Sequence, residues 1–178
     1  SPANPIVLVP SSYVTGVAKE VSPGLDTVGI IRPTTPLHWS LLQQAARPLV
    51  VTSGNIEGEP LAFENSAAEE SLGSAAEFIL HHNRRIVRPI DDSVVRVIAD
   101  RQVTIRCARG IAPLPLSLPA GPPVLAVGGQ QKVAVALCNG RQSILGPHIG
   151  DLDSLAVRER FVQQTQQLIE LYGGRPEV

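Results

Sequence analysis

Five prolines between Ile111 and Pro123 constrain this chain more than any other feature: Pro113, Pro115, Pro119, Pro122 and Pro123. A proline offers no N–H to a sheet ladder and fixes its own φ, so neither a helix nor a central strand runs easily through such a stretch. Carrying little charge, the stretch reads as a semi-rigid linker. The expected division is a first domain over residues 1–116, a linker over 117–123 and the start of a second domain over 124–178.

Before the linker, apolar runs alternate with helical patterns, which indicates an α/β chain. Pro5 to Val9 and Thr27 to Ile31 read as short strands, and Ser11 to Leu25 as a loop or short helix. Thr35 followed by Pro36 is an N-cap with proline at the first helical position, opening a helix to Ala46. His38 lies inside that helix and is assigned a structural role ahead of a catalytic one. Pro48 to Val51 reads as a strand delivering the chain into Thr52-Ser53-Gly54-Asn55, where hydroxyls and a carboxamide flank a glycine. Open α/β sheets place ligands at such strand ends. Asn65-Ser66 is expected to cap a helix through Leu72, and Ala75 to His81 reads as another. His81 and His82 are not taken as a metal site, because neighbours on a helix point about 100° apart.

A hairpin follows. Val94 to Ile98 and Val103 to Ala108 are its strands, joined by a turn over Ala99 to Gln102. Asp91, Asp92 and Ser93 stand at its entrance, Arg106 and Arg109-Gly110 at its exit, and antiparallel pairing brings those ends together. Guanidinium forks beside hydroxyls suit phosphate or carboxylate oxygens. The competing structural reading is that the aspartates neutralise the arginines; ligand binding is favoured for Arg109 and neutralisation for Arg96.

After the linker, an apolar strand from Val124 to Val127 enters Gly128-Gly129-Gln130-Gln131-Lys132, a turn whose amides could hold phosphate. Val133 to Cys138, Asn139-Gly140 and Gln142 to Leu145 read as a second hairpin. A long helix runs from Leu155 to Tyr172, with Val157, Phe161, Leu168 and Leu171 on one side. Gly173 to Val178 ends where another strand is expected to begin.

The composition narrows the function classes. A hydrophobic share of 43% suffices for a core, and a net charge of −1 gives no electrostatic footprint for nucleic acid. Aromatics at 3% leave little for base stacking. No apolar run approaches a membrane span and no signal peptide opens the chain, which suits a cytoplasmic enzyme. Cys107 and Cys138 read as reduced, partly buried thiols. The absence of methionine and the opening Ser-Pro-Ala-Asn are those expected of an internal stretch of a longer polypeptide.

Four segments in order, T-S-G-N-x-x-G-E-P, R-P-I-D-D-S-V-V-R, R-C-A-R-G-I-A-P-L-P and H-I-G-D-L, resemble the hydrogenase maturation carbamoyltransferase family, HypF, from about Pro5 onward. Thr52 to Asn55 and Ser93-Val94-Val95 also resemble the YrdC-like fold. The resemblance implies a twisted open YrdC-like sheet with helices, then the opening hairpin and helix of an actin-like ATPase-type domain. It implies an ATP and carbamate site at Thr52, Ser53, Asn55 and Ser93, with Arg106 and Arg109 as oxyanion contacts. It also implies a first phosphate loop at Gly128, Gly129, Gln130 and Lys132, with His148 and Asp151 as a further candidate pair of unassigned role.

The implied activity forms a carbamoyl-adenylate from carbamoyl phosphate and ATP, with magnesium. The carbamoyl group then passes to the C-terminal cysteine of a partner protein. No residue here is assigned to covalent catalysis or to a metal. The family's zinc fingers, acylphosphatase-like segment, Lys/Arg motif and histidine metal site have no counterpart in these residues. The chain alone is therefore expected to be inactive, and to be ordered only through self-association or as one part of a larger polypeptide. Two alternatives are a threonylcarbamoyl-adenylate synthase of tRNA modification and a non-catalytic YrdC-like module binding nucleotide or double-stranded RNA. The segment from Val124 speaks against the first, and the near-neutral charge against the RNA form of the second.

Overall fold

The computed structural model describes residues 2–173, and the expected strand beginning near Gly174 lies outside them. The chain forms two compact units: one of Ser1–Thr52 with Asp92–Ile111, the other of Ser53–Asp91 with Ala112–Val178.

The first unit is built on a four-stranded sheet of order β2-β1-β3-β4, with β1 Ile6–Pro10, β2 Thr27–Ile30, β3 Val94–Ile98 and β4 Arg101–Arg106. β1 runs antiparallel to β2 and parallel to β3, pairing Val7 with Val95. β3 and β4 form a hairpin whose two-residue turn, Ala99-Asp100, has both residues at positive φ (49° and 59°). That mirror-image turn matches the twist of the strands it joins, so β4 starts at Arg101, two residues before the expected Val103. Two short 3-10 turns, Ser11–Tyr13 and Lys19–Val21, fill the connection between β1 and β2.

Helix α1, Pro36–Ala45, starts as the sequence dictates: the Thr35 hydroxyl accepts the His38 N–H at 3.1 Å and Pro36 occupies the first turn. The His38 ring meets the Thr34 hydroxyl through Nδ1 at 2.9 Å, which gives it a local role at the helix start. None of the residues of α1 is buried, and Trp39 is 57% exposed.

Three expected elements differ. Pro48 to Val51 is not a strand; Val50 and Val51 stand exposed, with no neighbouring strand to use their N–H and C=O groups. Helix α2 spans Asn65–Leu72, with Glu64 and not Asn65-Ser66 at its cap position and no side-chain cap bond. Ala75 to His81 is not helical. Both Ala75 and Ala76 direct their N–H groups to the Leu72 carbonyl, closing a turn after Gly73. The chain beyond is open, with Phe78 and Leu80 exposed and Ile79 half-buried between them.

The second unit carries the sheet β5-β8-β7-β6, formed by β5 Leu114–Leu116, β6 Val124–Ala126, β7 Val133–Cys138 and β8 Ser143–Gly150. β5 comes from the proline-rich stretch. Pro115 sits in an edge strand, pairing with β8 opposite Ile144, so its missing N–H interrupts no central ladder. Residues expected to be linker and end of the first domain thus contribute to the second sheet. The β7–β8 hairpin closes on Asn139, whose carboxamide oxygen accepts the N–H groups of Arg141 and Gln142, both at 3.0 Å.

Helix α3, Leu155–Tyr172, is capped by the Ser154 hydroxyl and lies against this sheet. Val133, Val135 and Leu137 alternate inward along β7 and pack with Ile144, Ile149, Val157 and Leu168. The expected apolar side of α3 is only partly that which is used: Leu171 stays exposed, and Arg160 is buried in its place.

Leu137 is 1% exposed at the centre of this cluster. Leu137→Ala should lower unfolding stability by about 2–5 kcal/mol in urea titration, a cavity cost that a loosely packed site would not show.

Candidate functional site

The end of the β3–β4 hairpin gathers the chemistry of the first unit around Asp92. Ser93 is 0% exposed and its hydroxyl accepts the Ala108 N–H at 2.8 Å. Arg106 Nε donates to the Asp92 carbonyl at 2.8 Å, and Arg109 Nε to the Asp92 carboxylate at 2.7 Å. A second N–H of Arg109, on Nη2, reaches the Asn4 carbonyl at 3.1 Å. Gly110 follows at φ 82°, where a side chain would strike the Ala3 backbone oxygen. That glycine is required by close backbone approach.

The pairing of entrance and exit therefore holds in space. Asp92 and Arg109 also form a bridge flanking the hairpin. Arg109 carries the neutralising ion pair that the sequence offered as the alternative to ligand binding. It is about one-third exposed, so the pair adds orientation more than stability.

Ser53 and Asn55 belong to the other unit, while Thr52 ends the first. Their loop is tied to itself: Asn55 Nδ2 donates to the carbonyls of Ile56 and Glu59, both at 3.1 Å, and the Ala62 N–H reaches the Gly54 carbonyl at 2.9 Å. The segment is a self-bonded turn, not the exit of a strand. Ser93, Arg106 and Arg109 are drawn together within the first unit, while Ser53 and Asn55 belong to the second.

The second unit also holds the glycine loop. Gly128 has φ 74° and bends the chain towards the Ala134 carbonyl, and Lys132 also takes a positive φ, 52°. Asp151 closes the loop from the far end of β8. Its carboxylate accepts the Lys132 N–H at 2.6 Å through one oxygen and the Lys132 ammonium at 2.7 Å through the other. The Lys132 amide, expected to be free for phosphate, is thus occupied by an acidic side chain. Gln130 completes the link, donating to the Leu152 carbonyl at 3.2 Å and the Asp153 carboxylate at 3.0 Å, while the Leu152 N–H reaches the Gln130 carbonyl at 2.9 Å.

The side-chain bond from Lys132, its backbone bond and its charge hold the Asp151 carboxyl below its ordinary value, with a further contribution from His148. Chemically this is an oxyanion cradle already carrying a carboxylate. The sequence assigned Lys132 to the phosphate loop and Asp151 to a further candidate pair with His148, and gave no sign that the two meet across nineteen residues.

The remaining titratable candidates are local. Burial pushes the Cys107 thiol up, whereas hydrogen bonds from Ser143 and then the Gly140 backbone bring the Cys138 thiol down. His81 meets Glu69 through Nε2 at 2.8 Å. No helix among the described residues is long and apolar enough to cross a membrane.

Comparison with known proteins separates the chain in the same order. A Sua5/YciO/YrdC family model, described as telomere recombination, matches residues 1–108, and a model of the HypF Kae1-like domain matches residues 119–178. The carbamoyltransferase HypF of Rhodobacter capsulatus is 41% identical over 99% of this chain, and that of Synechocystis 37% identical over 99%. The chain belongs to the HypF family. It spans about a quarter of the length of the curated relatives it matches, 24% and 23% of these two.

Among solved structures, a full-length HypF described in its phosphate- and nucleotide-bound form superposes with a TM-score of 0.90 at 36% identity. It covers 98% of this chain and 28% of that one. The HypF of T. kodakarensis gives 0.85 at 30% identity, covering 93% of this chain and 22% of that one. The mixed α/β architecture with two sheets is therefore a HypF architecture.

Two outcomes follow from the hydrogen bonds described. Ser93→Ala leaves the buried Ala108 N–H without its acceptor, and stability should fall by about 1–3 kcal/mol in chemical denaturation. Asp151, held low by Lys132, stabilises the loop fully above about pH 4 and loses that contribution as pH falls through its lowered value. The Lys132 amide should therefore titrate by NMR with a midpoint below the ordinary aspartate value, and that titration should vanish in Asp151→Asn.

Proposed function

We propose that this chain serves ATP-dependent carbamoyl transfer, activating the carbamoyl group of carbamoyl phosphate as an adenylate and passing it to the C-terminal cysteine of a partner protein. The observation that carries this reading is the match over 98% of the chain, at 36% identity, to a HypF structure with phosphate and nucleotide bound. The order of the two family models supports it. A threonylcarbamoyl-adenylate synthase alone leaves the match over residues 119–178 without a purpose.

The residues fit an oxyanion-handling role. Lys132 presents an amide and an ammonium that already hold two carboxylate oxygens, the donor set a phosphate group uses. ATP, as its magnesium complex, would supply the adenylyl group. Carbamate, left when carbamoyl phosphate loses its phosphate to water, attacks the α-phosphorus and pyrophosphate leaves; AMP leaves when a thiolate or water takes the carbamoyl group. In this reading Asp151 yields those donors when nucleotide phosphate arrives, so the loop stays ordered before the ligand binds and its reorganisation cost is small. Arg106, oriented by the Asp92 carbonyl, keeps its charge for the adenylate-forming step, where negative charge redistributes during attack. Arg109 serves that step once a ligand oxyanion takes the place of the Asp92 carboxylate. Thr52, Ser53 and Asn55 supply hydroxyl and carboxamide contacts to carbamate and nucleotide. The partner protein brings the accepting thiolate.

A chimera tests the proposal: this chain replaces the matching stretch of the Rhodobacter capsulatus relative, and AMP release is followed with ATP and carbamoyl phosphate. Carbamoyl phosphate-dependent AMP release is expected, falling about 10²–10³-fold in Lys132→Ala, the range found when one oxyanion donor is lost. A folded chimera that releases AMP only with threonine and bicarbonate would overturn it in favour of threonylcarbamoyl-adenylate synthesis. One that binds ATP without turnover would leave only a nucleotide-binding module.

A further inference from the structure

The sheet of the first unit ends on an uncovered strand. β4 lies at the edge of the order β2-β1-β3-β4, and no backbone hydrogen bond reaches it from beyond β3 among the described residues. The two-residue turn at Ala99-Asp100 makes Ile98 and Arg101 a hydrogen-bonded pair. Alternation then turns the N–H and C=O groups of Gln102 and Thr104 away from β3. Those groups are free to carry a further strand. The β5 edge of the other sheet is guarded by Pro115, whereas β4 contains no proline.

Side chains paired across the hairpin share a face. Arg96 stands opposite Val103, Ile98 opposite Arg101 and Val94 opposite Arg106, so three guanidinium groups and three apolar side chains occupy one side. Ile98 is 48% exposed and Val103 37%, which leaves this side open to solvent. Arg96 and Arg101 have no carboxylate partner among the described residues, so the neutralisation expected of Arg96 is absent. Arg106 gives its Nε to a carbonyl, which leaves its charge unneutralised. The strands β1 to β4 contain no Asp or Glu; Asp92 is paired with Arg109, and Asp100 stands in the turn.

We infer that β4 is a docking edge for an extended acidic peptide. The peptide adds as a strand and sets carboxylates against Arg101 and Arg106, on either side of an apolar residue over Val103. The free ladder supplies the affinity, and alternate side chains supply the preference. A second copy of β4 fits less well. Centred on its own partner, it sets Arg101 against Arg106 twice, and like charges directly opposite repel. This edge is independent of the nucleotide reading, which uses neither Arg101 nor the free groups of Gln102 and Thr104.

The test titrates the 178-residue chain with the peptide acetyl-Thr-Glu-Thr-Val-Thr-Glu-Thr-amide and follows backbone amides by NMR. Saturable shifts and slowed hydrogen exchange are expected at Gln102 and Thr104. The peptide with both glutamates replaced by lysine should bind at least about fivefold more weakly, since two favourable cross-strand pairs become repulsive. Arg101→Glu, at an exposed position, should abolish that preference, because each peptide then meets one attractive and one repulsive partner. No saturable shift at Gln102 and Thr104, or equal binding of the two peptides to the unaltered chain, overturns the proposal. A preference kept in folded Arg101→Glu overturns the assigned register. Shifts of the same amides on raising the chain concentration without peptide overturn it in favour of self-pairing. Tighter binding of a six-nucleotide uridine RNA at those amides overturns it in favour of a nucleic-acid surface.

Discussion

Burial of one face of β7 against α3 is the constraint on which the second unit depends. Val133, Val135 and Leu137 project to the same side because strand side chains alternate, and Val157 and Leu168 of α3 close over them. Each such side chain contributes on the order of 1.5–3 kcal/mol when removed from water. An isolated helix of eighteen residues gains little from propensity alone, so packing on the sheet is what keeps α3 formed. The loop from Gly128 to Lys132 precedes β7 and Asp151 follows β8, so the hairpin that makes the core also brings the cradle and its carboxylate together.

The first unit is organised differently. Its polar junction is stapled by satisfied groups: Ser93 to Ala108, Arg106 and Arg109 to Asp92, and Arg109 to Asn4. A buried hydroxyl that meets an N–H avoids the desolvation cost it would otherwise impose. These bonds join the end of β4 to the residues before β1 and β3, so the arginines are presented in fixed orientations and not as mobile surface charges. Fixed donors cost little to reorganise when an anion arrives, a property suited to adenylate chemistry.

Spare polar capacity is treated in two ways. Around Asp92 and Asp151 the charged side chains are engaged with one another, whereas on α3 the Arg160 Nε and Gln164 Oε1 are buried without partners. Protein interiors satisfy most buried polar atoms, which makes such an unmet pair on one helix uncommon.

Much of the local structure was legible from residue order. Thr35-Pro36 set the start of α1, and the span of α3 from Leu155 to Tyr172 followed from its periodicity. The alternation along β7 and the turn at Asn139-Gly140 fixed the second hairpin. The family was legible in the order of four short motifs, since each preserves residue types that chemistry and backbone shape require together. Tertiary structure alone decided what depends on neighbours distant in the chain. Val50 and Val51 have the composition of a strand but no partner strand, and Leu114–Leu116 became a strand because β8 offered its edge despite Pro115. The engagement of Lys132 by Asp151, of Arg109 by Asp92 and Asn4, and the burial of Arg160 arise from contacts across 17 to 105 residues. Hydrophobic period reports which face of an element turns inward. It carries no information about which distant polar group will be waiting there.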